Sequence, residues 1–238
     1  MDKIIETWKD FLTKKKDSYQ IYCDMDGVLV DLEAGIEEEI DLTNFEDESE
    51  DTPEEDFGVT RKQAIQVLNS GILWHKLQGE GGFNKGVQAI FDVLDNGGEK
   101  FWAELPPRSD VTELWRYIQE FNPIILSAPW KLENSMSART NIDSKCVEGK
   151  RKWLGRLDPP PGKIIIAGTE SGHEGNTSKH RYAKNPQTGL PNILIDDMDF
   201  YLSDWAAEGG IAIKHTSAKE TIKKLEFEQK KLRKLKNG

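Results

Sequence analysis

Pairs of aspartates stand out at two places in the sequence, each directly after a short apolar run. Asp24 and Asp26 follow YQIYC in the segment DMDGVLVD, and Asp196 and Asp197 follow NILI. Two carboxylates this close together are costly unless a cation compensates their charge. Carboxylates with water and a phosphate are ligands that Mg²⁺ prefers, and neither motif contains a His or Cys that would favour zinc. The two pairs therefore predict a Mg²⁺ site.

Aspartates beside such a cation can perform phosphoryl transfer. One carboxylate can attack phosphorus to form an aspartyl-phosphate, and a second can protonate the leaving oxygen and then activate the hydrolytic water. A hydroxyl and a lysine would bind the phosphoryl oxygens as charge develops. Ser127, which follows the apolar run PIIL, offers such a hydroxyl. For either aspartate pair taken alone, an ordinary turn or capping role stays open.

Short apolar runs alternate with potential helices along the chain, a pattern typical of a parallel sheet covered on both faces. One such helix is predicted from Val111 to Ile118 by its apolar spacing. Ligands of open α/β sheets bind at the carboxyl ends of the strands, where the aspartates and Ser127 fall. The sequence therefore predicts that these side chains meet. The predicted strands lie within 19–24, 122–129, 163–168, 192–197 and 210–215.

The composition restricts the class of protein. A chain of 238 residues with 37% hydrophobic and 31% charged residues predicts one domain with an insert. Its net charge of −10 argues against binding of polymeric nucleic acid. The apolar runs are too short for a membrane span, the N-terminus lacks the apolar stretch of a secretory signal, and Cys23 and Cys146 form no CxxC pair. We therefore expect a cytoplasmic protein without a membrane partner.

Taken together, the motifs resemble those of the haloacid dehalogenase-like phosphatase superfamily. Within it, the segments DMDGVLVDLEAG, FWAELPP, SAPWK, CVEGKRKW and ILIDDMD are similar to the 5'(3')-deoxyribonucleotidase family. The resemblance implies a Rossmann-like catalytic core at 1–31 and 101–238, with a small helical cap at 32–100 inserted after the first strand. Nine of the sixteen residues at 41–56 are acidic, which favours an exposed loop in that cap. The resemblance to this family also implies a bound Mg²⁺ and the hydrolysis of nucleoside monophosphates.

The resemblance also implies roles for individual residues. Asp24 would be the nucleophile and Asp26 the general acid and base, while Ser127 would bind phosphate where the family usually has Thr. The metal would be bound by Asp24, the backbone carbonyl of Asp26 and Asp197, with Asp196 supporting nearby.

Further substrate contacts follow from the same resemblance. Lys131 and Lys150 match lysines that approach the phosphate. Phe101 and Trp102 are the aromatic residues that we expect to contact a nucleobase, since bases stack on aromatic rings.

The chain departs from the family between the essential lysine and the DD pair. Lys179 is the predicted phosphate-binding lysine and Lys184 the alternative, because the stretch KNPQTGLPN separates Lys179 from Asp196. Ala128 replaces a serine that helps to position substrate in the family. Two other functions stay open: a phosphatase for another small ester such as a sugar phosphate, and a binding module without turnover. The basic segment 219–238 predicts an amphipathic helix on the core, and a homodimer also stays open.

Overall fold

The computed structural model describes residues 19–39, 93–130, 142–174 and 176–236. Within these ranges, five strands form one entirely parallel sheet in the order β3-β2-β1-β4-β5. This confirms the predicted α/β class with a parallel sheet. The strands are β1 Ile21–Cys23, β2 Ile124–Ser127, β3 Lys163–Ile166, β4 Ile193–Asp196 and β5 Ile211–Lys214.

Helices connect these strands, and the helix predicted from Val111 to Ile118 is present with those bounds. None of the helices in the described ranges is both long and apolar enough to cross a membrane. The acidic loop at 41–56, most of the proposed cap and Lys131 lie outside the described residues. The α-helices are α1 Leu32–Glu39, α2 Gly98–Glu104, α3 Val111–Ile118, α4 Ser144–Leu154, α5 Asp199–Ala207 and α6 Ala218–Lys236, and the 3₁₀ turns are Gln119–Phe121 and His180–Tyr182.

The sheet buries both faces, because successive side chains of a strand point to opposite sides. On β4, Ile193 and Ile195 pack in the larger core with residues of α2, α3, α4 and α6. Leu194 lies on the other face and packs in a second core with Leu202 and Trp205 of α5. Helices therefore cover both faces, as the apolar runs predict.

Helices α2 and α4 lie in close contact, and a glycine makes this possible. A Cβ atom at Gly149 of α4 would lie 2.5 Å from Cβ of Trp102 and 2.5 Å from the carbonyl oxygen of Glu99. Only a residue without a side chain fits at this distance. The contact matters for the site below because it places the next residue, Lys150, beside Trp102 of α2.

Candidate active site

Polar side chains from several strands meet at the carboxyl edge of the sheet. Asp24 follows β1, Ser127 ends β2 and Asp196 ends β4. Asp24, Asp196 and Asp197 each offer a carboxylate oxygen, and these three oxygens lie within 4.8 Å of one another. The sheet order explains the arrangement, since β1 pairs directly with β4. The structure thus brings Asp24 of the first pair together with Asp196 and Asp197, although Asp24 and Asp196 are 172 positions apart in the sequence.

A tight turn carries the chain away from β1 after Asp24. The backbone N–H groups of Val28, Leu29 and Val30 all donate to the carbonyl oxygen of Met25. Gly27 has a φ of +69°, and a Cβ atom there would lie 2.1 Å from Oδ2 of Asp197. Both the left-handed backbone and the neighbouring carboxylate therefore require glycine in this turn.

Lys179 lies at the centre of the acidic cluster. Its Nζ atom is 2.9 Å from Oδ2 of Asp24 and 2.7 Å from Oδ2 of Asp196, and its side chain is fully buried. Burial opposes the charged form, but the carboxylates of Asp196 and Asp24 outweigh it and raise the pKa of Lys179. The Tyr201 ring also lies 4.2 Å from Nζ. Of the two lysines that the sequence offers for this role, Lys179 lies among the aspartates, whereas Lys184 is exposed.

The connection that carries Lys179 is fixed by Glu170. Its Oε1 atom accepts hydrogen bonds from the guanidinium of Arg181, at 2.6 Å, and from the hydroxyl of Tyr182. Its Oε2 atom accepts the backbone N–H of Gly168 at 2.6 Å. Because Arg181 and Tyr182 follow Lys179 closely, these bonds limit where the backbone of Lys179 can lie.

The net negative charge of the cluster favours the binding of a divalent cation. When all three aspartates are ionised, as cation binding requires, they carry three negative charges, of which Lys179 compensates one. Oδ1 of Asp197 is buried and has no hydrogen-bond partner among the described residues. Burial, together with the charges of Asp24 and Asp196, raises the pKa of Asp197 to about 8. An oxygen-only donor set with an unsatisfied carboxylate fits Mg²⁺, so the residues present suit the ion implied by the sequence.

Asp26 points away from this cluster and pairs with Lys150. The ammonium of Lys150 donates to Oδ2 of Asp26, to Oγ of Ser127 at 3.1 Å and to the carbonyl oxygen of Ala128 at 2.7 Å. Burial raises the pKa of Asp26, while the charge of Lys150 opposes the shift. The Asp26 carboxylate is thus separate from the three clustered aspartates. Ser127 is fully buried, and its hydroxyl accepts a hydrogen bond from Lys150, which lines the cavity.

A cavity of about 600 Å³ opens over these groups. It is large enough for a small organic molecule. Its wall combines the reactive carboxylates with aromatic rings and a few cations. The lining includes Asp24, Asp26, Asp31, Trp102, Arg108, Trp130, Lys150, Asp197, Phe200, Tyr201 and His215.

The two aromatic residues expected to contact a ligand differ in position. Trp102 lines the cavity although it is only 1% exposed, and its indole N–H has no hydrogen-bond partner among the described residues. Lys150 lies 5.1 Å from the centre of the ring. Phe101 packs edge-on against Trp102, with ring centres 5.1 Å apart, and is not among the described residues that line the cavity. Phe101 therefore packs against the Trp102 ring and is not part of the cavity wall.

Because Trp102 belongs to the core, we expect its substitution to lower the stability of the fold. Trp102→Ala should lower the free energy of unfolding by about 3–5 kcal/mol, as for other large buried aromatics. Urea unfolding followed by circular dichroism measures the change. Phe227→Ala serves as the control, since Phe227 is 59% exposed and its loss should cost about 1 kcal/mol or less. Equal losses in the two variants would contradict the core position of Trp102.

Sequence reasoning missed three residues that line the cavity. Tyr201 lies in the helix that follows the DD pair, and His215 directly follows β5 at the same sheet edge. The strand at 210–215 is predicted from the sequence, so the position of His215 at its carboxyl end could have indicated that His215 lies at the site. Burial lowers the pKa of His215 to about 4, which keeps the ring neutral near pH 7. Arg108 follows the ProPro turn, and nothing in its local sequence indicates that it reaches the cavity.

Comparison with known proteins finds similarity to solved structures. No protein-family model matches the chain, and no curated protein sequence matches it. Among solved structures, the crystal structure of a hydrolase from Streptococcus pneumoniae TIGR4 aligns with a TM-score of 0.49 and 12% sequence identity. The alignment covers 88% of this chain and 99% of that chain. At this level of similarity, the activity of that protein cannot be assigned to this chain.

Proposed function

We propose that this protein is a Mg²⁺-dependent phosphatase that hydrolyses small phosphate monoesters through an aspartyl-phosphate. The observation that carries the proposal is the cluster of Asp24, Asp196 and Asp197, in which Lys179 pairs with Asp24 and Asp196, while Asp24 and Asp197 line a cavity. Three carboxylates with one buried ammonium suit a site for a divalent cation and a phosphoryl group.

In this proposal, Asp24 acts as the nucleophile. A carboxylate oxygen of Asp24 attacks phosphorus, and the bond from phosphorus to the ester oxygen breaks. Asp26 donates a proton to the leaving oxygen, a role that suits a carboxyl group whose pKa is raised by burial. Asp26 then accepts a proton from water as that water attacks phosphorus, which releases inorganic phosphate and regenerates Asp24.

The remaining polar groups would position the phosphoryl group and compensate its charge. Asp24, Asp197 and the backbone carbonyl of Asp26 would bind Mg²⁺, with Asp196 fixing Lys179 beside them. When bound, Mg²⁺ would neutralise negative charge on the phosphoryl oxygens. Lys150 links Ser127 to Asp26 by hydrogen bonds, so it aligns the proposed acid with the proposed phosphate site.

We propose nucleoside monophosphates as the substrates. The sequence motifs that resemble deoxyribonucleotidases support this class, together with aromatic residues in the cavity wall. A triphosphate would bring additional negative charge to a site that already contains several aspartates, in a chain of net charge −10. Sugar phosphates are the alternative substrates, because the catalytic groups alone do not distinguish the alcohol that leaves.

Release of inorganic phosphate from a panel of esters tests the proposal. We expect deoxynucleoside 5'- and 3'-monophosphates to be hydrolysed faster than nucleoside triphosphates and glucose 6-phosphate. Removal of Mg²⁺ with EDTA should lower the rate by at least about tenfold, because the ion supplies several kcal/mol of charge stabilisation, and excess Mg²⁺ should restore it. Faster turnover of glucose 6-phosphate would select the sugar phosphates, and no release from any ester would contradict the phosphatase assignment.

A further inference from the structure

We propose that Arg108 and His215 form a second anion-binding subsite in the cavity, so that a second anionic group on the substrate, besides the phosphate that is hydrolysed, strengthens binding. This inference rests on the phosphatase function proposed above and extends its substrates from nucleoside monophosphates to phosphate esters that carry a second anion. The subsite would bind the part of the substrate that leaves, because Arg108 and His215 line the same cavity as Asp24 and Asp197.

Buried polar atoms without partners mark this part of the cavity. Within the described ranges, Nε of Arg108 and Nε2 of His215 are buried and make no hydrogen bond, and a ring or guanidinium N–H at these positions could donate to an anion. His215 is only 3% exposed, and its other ring nitrogen lies 2.9 Å from Oγ1 of Thr221. Both Arg108 and His215 line the cavity. Buried polar atoms normally find partners, so a cluster of unsatisfied ones points to a missing polar ligand.

Among the described residues, Arg108 is less closely paired with a carboxylate than Lys150 and Lys179 are. Lys150 contacts the carboxylate of Asp26 directly, and Lys179 lies within 2.9 Å of two aspartates. Nε of Arg108 lies 3.9 Å from Oδ1 of Asp110, which is too long for a hydrogen bond. The other carboxylate oxygen of Asp110 accepts the backbone N–H of Ala218 at the start of α6, at 2.5 Å.

A guanidinium in this position suits a phosphate or a carboxylate. Its charge is permanent, and its planar set of N–H donors matches the oxygens of both anions. It lines the same cavity as the aspartate cluster, so a single small substrate could place one phosphate at Asp24 and a second anion at Arg108. A nucleoside 3',5'-bisphosphate and a phosphorylated hydroxy acid are two substrates with this chemistry.

Two matched pairs of compounds test the subsite and distinguish its anion. The first pair is deoxyadenosine 3',5'-bisphosphate and deoxyadenosine 5'-monophosphate, and the second is 3-phosphoglycerate and glycerol 3-phosphate. Isothermal titration calorimetry with Mg²⁺ measures their dissociation constants on the full chain carrying Asp24→Asn, which prevents turnover. The same measurements follow with Arg108→Gln added. Arg116→Gln is the matched control, since Arg116 is exposed on α3.

We expect the compound with two anionic groups to bind about 10- to 100-fold more tightly within at least one pair, as a charged hydrogen bond allows. Arg108→Gln should reduce that ratio to below about threefold, and Arg116→Gln should leave it unchanged. The pair that shows the effect identifies phosphate or carboxylate as the second anion. Measurable binding with ratios near one in both pairs would overturn the subsite alone. Absence of binding by all four compounds would overturn the proposed function as well.

Discussion

Asp24→Asn should lower phosphate release by at least about 10⁴-fold, as the loss of a nucleophile does in other hydrolases. An amide is a far weaker nucleophile than a carboxylate, so the covalent intermediate no longer forms. The fold should persist, because the change removes a negative charge from a cluster of three carboxylates, two of which are buried. Loss of activity with retained structure is therefore the expected combination.

Phosphate release and circular dichroism on the same preparation check this expectation. Asp204→Asn is the control for the chemical change alone, since the side chain of Asp204 is 60% exposed. It should retain the wild-type rate. Turnover of Asp24→Asn within tenfold of wild type would show that another group attacks phosphorus.

Lys179→Met should affect both activity and stability. The ammonium of Lys179 lies between the carboxylates of Asp24 and Asp196, so its loss leaves both of them buried without a counter-charge. Breaking such a buried ion pair costs about 3–5 kcal/mol of unfolding free energy. Removal of one group that stabilises developing charge typically lowers kcat by about 10²- to 10³-fold. Both losses follow from the same contact.

Lys184→Met provides the matched control, because Lys184 is the exposed lysine that sequence spacing offered as the alternative. It should change neither the unfolding free energy nor kcat. Urea unfolding with added Mg²⁺ gives an additional readout. A divalent cation can replace part of the lost charge, so Mg²⁺ should stabilise Lys179→Met more than it stabilises the wild type. An equal effect of Mg²⁺ on both proteins would place the ion away from Lys179.

Much of the fold follows from local patterns. Apolar runs such as the one ending at Cys23 have no polar alternation, which is typical of strands buried on both faces, and the sheet has that character. The meeting of Asp24 with Asp196 was also predictable, because parallel strands present their carboxyl ends at one edge. The sequence therefore predicts the positions of the side chains that directly follow a strand, such as Asp24 and Asp196.

Side chains that come from connections and helices were harder to place. The choice between Lys179 and Lys184 depends on how the long connection before β4 folds back, and local sequence does not determine that path. Arg108 enters the cavity because the turn after α2 pairs with the Asp24 turn, where the N–H of Arg108 donates to the carbonyl oxygen of Leu29 at 3.0 Å. Such a contact between distant segments has no signature in either one.

The segment between Lys179 and β4 bears on how sites of this kind can be found in other sequences. Lys184 and Pro191 form an antiparallel bridge, so the residues between them leave and return at nearly the same point. A Cβ atom at Gly189 would meet no atom within 4 Å. Lengthening such a loop costs little, about 0.6 kcal/mol for each doubling of its length. Evolution can therefore extend this hairpin without moving the lysine or the aspartates, and searches that require a fixed number of residues between them will overlook related sequences.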